Sequence, residues 1–249
     1  MDTLGHEPLT VGVGALLDPA GMVFEPSVDF PMGYRVGVTR YADIILRNAF
    51  PKLHSDLSHV LQNFRIEAAE ILSGGGSRAS HTARFDSSLA ALGWGKKTIT
   101  IEKRLDGQLI HRARGHEIDM FGGGTGQGGY PGVALEVEWN NKDPFFDRDL
   151  LNFQALHREG AIAAGVIVTR GPRLQQVISS TVRTSASSGS AKFGQSTTHW
   201  DKLMPRVNLG GGGECPLILI GIEPERIQGF TVIQEAHDSG ESIWEVPSD

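Results

Sequence analysis

The sequence has little cysteine, no long apolar run and no excess of basic residues. Its one cysteine, Cys215, cannot form an internal disulfide bond, which is typical of proteins of the reducing cytoplasm. No apolar run approaches the roughly 18 residues of a membrane-spanning helix, so we expect no membrane association. The N-terminus lacks a basic region followed by an apolar core, so we also expect no signal peptide.

The net charge of −6 argues against a protein that binds nucleic acid with its whole surface. It leaves room for a basic cleft beside acidic metal ligands, as a nuclease requires. The chain has 249 residues, and its 39% hydrophobic content is that of an ordinary globular protein. Because no repeat or interdomain linker stands out, we predict a single domain over residues 1–249.

Hydrophobic periodicity predicts alternating helices and strands. The helical segments are 52–71, stopped by Ser73 and the following glycines, 86–92, and a helix that begins after Asp143-Pro144. The strands are 97–103, 108–114, 133–139, 161–169 and 216–222, with Asp106-Gly107 as a hairpin turn. Residues 179–199 are predicted as long loops. Strand, helix and strand around Asp143 indicate a crossover unit, so we predict an α/β (α+β-like) fold with a central mixed sheet flanked by helices.

A glycine-rich segment, 121–129, contains a formal G-x-G-x-x-G match from Gly124 to Gly129. The dinucleotide-binding fingerprint needs a strand before these glycines and a helix after them. Here a strand follows instead, so we interpret the segment as a connecting loop.

Three carboxylates carry the functional hypothesis. Glu136 and Glu138 share one face of the predicted strand because side chains two apart in a strand point the same way, and Asp119 lies 17 positions before Glu136. The pattern D…(D/E)-x-(D/E/K) is that of metal-dependent nucleases, in which two carboxylates bind Mg²⁺. Acids at this spacing are also common on solvated strand edges, and the pattern alone leaves both readings open.

The surrounding segments, HEID at 116–119, GVALEVEWNNKDPFFDRDLLNFQALHREGAIAAGVIVTRG from Gly132, STTHWDKLMPRV and GGGGECPLILIGI, resemble the type II restriction endonucleases grouped around BglII and BamHI. That resemblance spans about residues 85–222 and implies the PD-(D/E)XK nuclease fold. It further implies that Asp119, Glu136 and the Val137 carbonyl bind Mg²⁺. Glu138 would be catalytic in the place where the ordinary motif has lysine.

The resemblance also implies an acid upstream of Asp119 that faces the metal-bound water. Glu102 lies 17 positions before Asp119 and is the candidate, with a solvent-facing strand residue as the alternative. Cys215 next to a buried strand is interpreted as a core thiol, not a nucleophile. Histidine pairs five residues apart do not fit the helical spacing of a zinc site.

Basic residues after the acids are the candidates for DNA contact. Arg170, Arg173, Lys192, Lys202 and Arg206 are expected in loops, and the segment Thr184–His199 would help to enclose the duplex. Lys142 lies close to the acids in the sequence and is a candidate for a phosphate contact. For each of these side chains, ordinary solvated charge is the alternative.

We therefore expect a type II restriction endonuclease that acts as a homodimer with Mg²⁺ on a short palindromic site in double-stranded DNA. Two-fold symmetry of the protein would match that of the site. Cleavage would leave 5′-phosphates, and a methyltransferase would protect the same site in the host. The alternatives are a repair or structure-specific nuclease of the same fold, and a DNA-binding protein without activity.

Overall fold

A six-stranded mixed sheet forms the centre of the protein. The structure is a computed structural model that describes residues 30–74, 78–113, 116–184 and 189–246. The described residues form strands in this sheet and in three smaller two-stranded sheets. The strands are β1 (Tyr34–Val38), β2 (Ile66–Glu67), β3 (Gly95–Ile99), β4 (Glu102–Leu105), β5 (Gln108–Arg112), β6 (His116–Gly122), β7 (Gly132–Glu138), β8 (Ile162–Arg170), β9 (Val182–Arg183), β10 (Leu217–Ile222), β11 (Ile227–Gln228) and β12 (Ile243–Trp244). The helices are α1 (Ala42–Ala49), α2 (Pro51–Asn63), α3 (Ala68–Leu72), α4 (Ser80–Ala90), α5 (Phe145–Arg158), α6 (Pro172–Thr181), α7 (Trp200–Asn208) and α8 (Thr231–Asp238).

The strand order in the sheet is β1-β10-β8-β7-β6-β3. The central strands β10, β8 and β7 are parallel, whereas β1, β6 and β3 pair antiparallel with their neighbours. Helix α5 connects the parallel strands β7 and β8, as the predicted crossover requires. The predicted central mixed sheet flanked by helices is therefore confirmed.

Each face of the sheet packs against a separate apolar core. On one face, Leu135 and Val137 of β7 pack in a core with residues of α2, α4 and α6. On the other face, Ala134 packs in a core with residues of α5 and α7. Because side chains alternate along a strand, Glu136 and Glu138 share the face of Ala134 and point towards α5.

Several element boundaries differ from those predicted. The helical segment 52–71 is interrupted, because Phe64 adopts an extended conformation and β2 then pairs with β11. The helix at 86–92 begins earlier, at Ser80. The strand 97–103 is divided between β3 in the sheet and β4 in a separate two-stranded hairpin with β5. The end of the returning strand, at Arg114, lies outside the described residues.

The predicted hairpin turn and the glycine-rich loop agree with the structure. Asp106 and Gly107 have positive φ values of 48° and 80°, as a tight hairpin turn requires. The segment 121–129 ends β6 and continues as a loop that the Gly124 amide closes by donating to the Gly129 carbonyl at 2.8 Å. Within the described ranges, no helix has the length and apolar character needed to traverse a lipid bilayer.

Candidate active site

A cleft of about 630 Å³ opens beside the C-terminal end of β7. Asp119 from β6, Glu138 from β7 and Arg148 from α5 line it. Further lining side chains come from α3, α4 and the segments before α4 and after β9: Glu70, Arg78, His81, Lys192 and Phe193. The cleft thus collects acids of three different elements together with several cations.

The pairing of β6 with β7 brings Asp119 next to Glu136. The register places Met120 opposite Leu135, so the residues just before and after them are neighbours across the two strands. The Asp119 backbone amide lies 3.4 Å from Glu136 Oε1, within reach of a hydrogen bond. Two carboxylates that are far apart in the sequence therefore meet through sheet pairing, as the motif requires.

Glu136 is 4% exposed, beneath α5. Burial raises its pKa to about 10, and the nearby charges of Asp149 and Asp119 contribute to the same direction. Without a cation, this carboxyl group is therefore protonated at neutral pH. A divalent cation would reverse that preference because it stabilises the ionised form.

Glu138 is 2% exposed and its carboxylate is bound by two neighbours. Asn141 Nδ2 donates to Oε2 at 2.6 Å, and Arg148 Nη2 lies 3.4 Å from Oε1. Burial, followed by repulsion from Asp149, raises the pKa of Glu138 to about 8. The position where the ordinary motif has a lysine is thus an acid, and Arg148 brings a positive charge to it from α5.

Asp149 is a functional candidate that was not expected from the spacing of the acids in the sequence. It is 1% exposed in α5, and its Oδ2 has no hydrogen-bond partner among the described residues. Its Oδ1 accepts from Arg148 Nε at 2.8 Å. Asp149 lies three residues after Phe146 and four before Phe153, so the apolar stripe of α5 itself indicated a buried acid facing β7.

The donor chemistry of this cluster fits a hard divalent cation. Asp119, Glu136, Glu138 and Asp149 offer carboxylate oxygens, the ligands that Mg²⁺ prefers, and the buried Asp149 Oδ2 lacks a partner in the described structure. In the described ranges, no three Asp, Glu, His or Cys side chains converge closely enough to hold an ion. Cation binding therefore requires these side chains to draw together.

Glu102 is not part of this site. It is exposed in β4 and forms ion pairs with Arg104, at 3.1 Å, and with Arg112. The chain leaves the main sheet after β3, so equal spacing in the sequence does not put Glu102 beside Asp119. The expectation that Glu102 faces the metal was wrong, and the solvent-facing alternative is the one observed.

A different upstream acid, Asp86 of α4, is linked to Asp119. Arg78 forms an ion pair with Asp86 Oδ2, and its Nη2 lies 3.8 Å from Asp119 Oδ2. Asp86 Oδ1 is buried and has no hydrogen-bond partner among the described residues. The helical spacing of α4 alone gave no reason to assign Asp86 to the site.

Arg170 is fully enclosed by protein, so its expected contact with DNA requires correction. It ends β8 and is 0% exposed. Its Nη2 donates to Thr197 Oγ1 at 2.6 Å and to the Thr198 carbonyl at 2.7 Å, and its guanidinium lies 4.9 Å from the centre of the Phe193 ring. Arg170 therefore holds the segment before α7 in place.

The expected loop positions of Arg173, Lys202 and Arg206 were also wrong, since these residues lie in α6 and α7. Arg173 forms a bidentate ion pair with Glu225, with N–O distances of 2.6 and 2.7 Å. Arg206 forms ion pairs with Asp143 at 3.0 Å and with an exposed aspartate of α5. Lys202 is partly exposed.

The remaining basic candidates differ in accessibility. Lys192 lines the cleft, but its side chain is 9% exposed and donates to the carbonyls of Ile71, at 2.9 Å, and Ser73. His199 is buried at the start of α7, and the residues 185–188 of the segment before it lie outside the described ranges. Lys142 is exposed.

Burial raises the pKa of Cys215 to about 12, which agrees with a core thiol.

Comparison with known protein families identifies a match for the chain. The family model described as restriction endonuclease BglII/BglIII matches residues 34–222, from β1 to the end of β10. The match extends further towards the N-terminus than the resemblance seen in the sequence. None of the curated proteins compared matches the chain. Members of this family are nucleases that act on DNA and generally use divalent metal ions. The chain belongs to the BglII/BglIII restriction endonuclease family.

Proposed function

We propose that the protein is a type II restriction endonuclease that hydrolyses double-stranded DNA at a short palindromic site with Mg²⁺, on a PD-(D/E)XK nuclease fold. The observation that carries the proposal is the meeting of Asp119 and Glu136 across β6 and β7, with Glu138 next on the same strand face. The buried acids are hard to explain as structural residues, because burying ionisable groups costs free energy unless a cation compensates.

Asp119, Glu136 and the backbone carbonyl of Val137 would hold the ion. When bound there, Mg²⁺ supplies Lewis-acid polarisation of the phosphate and lowers the pKa of a bound water. Glu138 accepts a proton from the attacking water, a role that suits a carboxylate whose pKa is raised towards the working pH. Asn141 and Arg148 hold the Glu138 carboxylate in place during this step.

For the DNA backbone, the accessible lysines are the favoured contacts. Lys142 is exposed, and Lys202 is partly exposed on α7. Arg173 and Arg206 would need to exchange their carboxylate partners for phosphate or base edges before contacting DNA. Lys192 and His199 act from inside the fold, by shaping the cleft wall and the start of α7.

A homodimer is part of the proposal. Two copies related by a two-fold axis would place one carboxylate cluster at each strand of a palindromic site. A methyltransferase of the same specificity would protect host DNA in the cytoplasm. Gel filtration with light scattering tests the dimer directly.

The decisive experiment is digestion of unmethylated phage DNA by the purified protein with Mg²⁺ or with EDTA. Discrete fragments that need Mg²⁺ and carry 5′-phosphate ends are expected. A smear would instead favour a structure-specific nuclease, and binding without any cleavage would favour an inactive DNA-binding protein. Asp119→Asn provides the control, because it keeps the shape of the side chain and removes the charge.

A further inference from the structure

Arg78 is the cation that lies against the candidate metal ligand Asp119. Its Nη2 is 3.8 Å from Asp119 Oδ2, a distance at which two opposite charges attract but do not share a normal hydrogen bond. The same nitrogen forms a much closer ion pair with Asp86 Oδ2. Asp86 therefore anchors the guanidinium, and the contact with Asp119 is the weaker of the two.

The other cleft cations of the described structure are held differently. Arg148 is bound to Asp149 and Glu138, and Lys192 donates to two backbone carbonyls. Among the described cleft residues, Arg78 is the cation with an ion pair to Asp119. Its side chain is 47% exposed and lines the cleft, so a ligand in the cleft can reach it.

The position of Arg78 conflicts with metal binding at Asp119. A divalent cation bound to Asp119 would stand within a few ångströms of the guanidinium, and like charges at that distance repel strongly in a partly buried site. A guanidinium also has five N–H donors in a planar fork, and phosphate is one of the groups that it binds best. Repulsion by a bound cation would therefore favour movement of Arg78 away from Asp119, and a DNA phosphate could bind the guanidinium instead.

We propose that Arg78 is a counter-ion that DNA displaces: it neutralises Asp119 in the free protein and turns to a backbone phosphate when a duplex enters the cleft. Asp86 keeps the guanidinium tethered throughout. Asp119 becomes more available to the divalent cation when phosphate has taken its place beside Arg78. The inference rests on the proposed metal site and assigns its regulation to this chain's own residues.

The consequence is positive coupling between DNA and the divalent cation. If phosphate binding weakens the contact between Arg78 and Asp119, then DNA raises the affinity for the cation, and the cation raises the affinity for DNA by the same factor. The free protein would bind metal poorly, so little metal would occupy the site before a duplex enters the cleft.

The test measures Ca²⁺ binding by titration calorimetry for the DNA-free protein. Arg78→Gln should bind Ca²⁺ roughly tenfold more tightly than the wild type, because Asp119 loses its competitor. Arg104→Gln is the matched control, since it removes an arginine paired with a carboxylate in the exposed β4–β5 hairpin, and should leave Ca²⁺ affinity unchanged. Arg78→Lys retains the charge and should restore weak binding.

A second variant predicts the opposite sign. Asp86→Asn removes the anchor, so Arg78 should pair more strongly with Asp119 and Ca²⁺ affinity should fall. With a mixed-sequence DNA duplex present, the wild type should gain more Ca²⁺ affinity than Arg78→Gln does. With these two measurements the inference can still be tested if one substitution lowers the folded fraction of the protein. Circular dichroism would reveal such a loss.

Equal Ca²⁺ affinity of the free wild type and Arg78→Gln would overturn the inference while leaving the proposed metal site intact, provided that Glu136→Ala lowers Ca²⁺ affinity. If Ca²⁺ bound neither the wild type nor any variant, with or without duplex, both the inference and the proposed metal site would be refuted. Cleavage of phage DNA in Mg²⁺ remains a separate measurement of the proposed function.

Discussion

Glutamate side chains next to the cleft and in the β4–β5 hairpin have pKa values shifted in opposite directions. Glu136, which lies across the strands from the cleft residue Asp119, is buried against other acids, and its pKa rises to about 10. Glu102 in the hairpin is exposed between two arginines, and hydrogen bonds from Arg112 and Arg104 lower its pKa. The comparison teaches that burial without a compensating cation, and not spacing in the sequence, makes the charge of an acid costly.

The largest expected difference between the two regions is in catalysis. Glu136→Ala should reduce Mg²⁺-dependent cleavage by roughly three orders of magnitude or more, because it removes a ligand of the ion that activates water and phosphate. Glu102→Ala should cleave at nearly the wild-type rate. Single-turnover cleavage of phage DNA measures both variants.

Binding provides the control for this pair. Glu136→Ala should keep its affinity for DNA in EDTA, because the metal-free Glu136 carries no charge at neutral pH that the substitution would remove. Retained cleavage in Glu136→Ala, or its loss in Glu102→Ala, would reverse the assignment of the two acids.

A buried arginine of β8 and an exposed arginine of the hairpin should contribute differently to the free energy of unfolding. Arg170→Met should lower the free energy of unfolding by about 2–4 kcal/mol, because the carbonyl of Thr198 loses its buried donor. Arg112→Met in the hairpin should cost far less, since its ion pair with Glu102 is exposed. Urea unfolding checks both, and equal midpoints would show that Arg170 is not a structural anchor.

The pH dependence of stability separates the regions further. In its metal-free state the folded protein keeps a proton on Glu136 up to a pKa of about 10, whereas the unfolded chain releases it near the ordinary value of 4.5. The folded state therefore binds more protons over this range, and the free energy of unfolding falls as the pH rises from 4.5 towards 10. The contribution of the protonated carboxyl group is complete only below that range.

Glu136→Gln should remove the part of this pH dependence that Glu136 contributes and stabilise the metal-free protein at alkaline pH by about 1–4 kcal/mol. Urea unfolding in EDTA under mildly acidic and alkaline conditions measures the effect. Added Ca²⁺ should stabilise the wild type more than Glu136→Gln at alkaline pH. A wild type whose stability rises with pH would contradict the burial of an uncompensated acid.

The smallest expected difference is in DNA binding. Lys142→Ala should weaken binding by about tenfold or less and reduce the slope of log affinity against log salt by roughly 1, as the loss of one phosphate contact does. Lys103→Ala, which removes an exposed lysine of the hairpin, should change neither quantity. Fluorescence anisotropy at several salt concentrations distinguishes the two lysines.

The central part of the fold was predictable because its signals are local. The alternation in β7, the apolar runs of β8 and β10 and the stripe of α5 each point to one structure. Helices α6 and α7 were missed, although Pro172 after Gly171 and the spacing of Leu203, Met204 and Val207 are helical signals. The break after α2 was not predictable locally, since it depends on the pairing of β2 with β11.

The residues of the candidate site likewise include some that sequence patterns predict and some that only tertiary packing brings together. Asp119, Glu136 and Glu138 were predictable from strand alternation and from the resemblance to a known family. Asp149 and Arg78 belong to the cluster only because α5 covers one strand face and the segment before α4 reaches the cleft. Such placements follow from tertiary packing, which the sequence spacing of acids does not encode.

The register of β7 links this chemistry to correct folding. A shift of one residue would turn Glu136 and Glu138 into the core that Leu135 and Val137 now occupy, next to helices α2, α4 and α6. Two carboxyl groups would then be buried among apolar side chains, far from Asn141 and Arg148. The acids that are costly in the correct sheet would be costlier in the shifted one, so Glu136 and Glu138 also disfavour a sheet assembled in the wrong register.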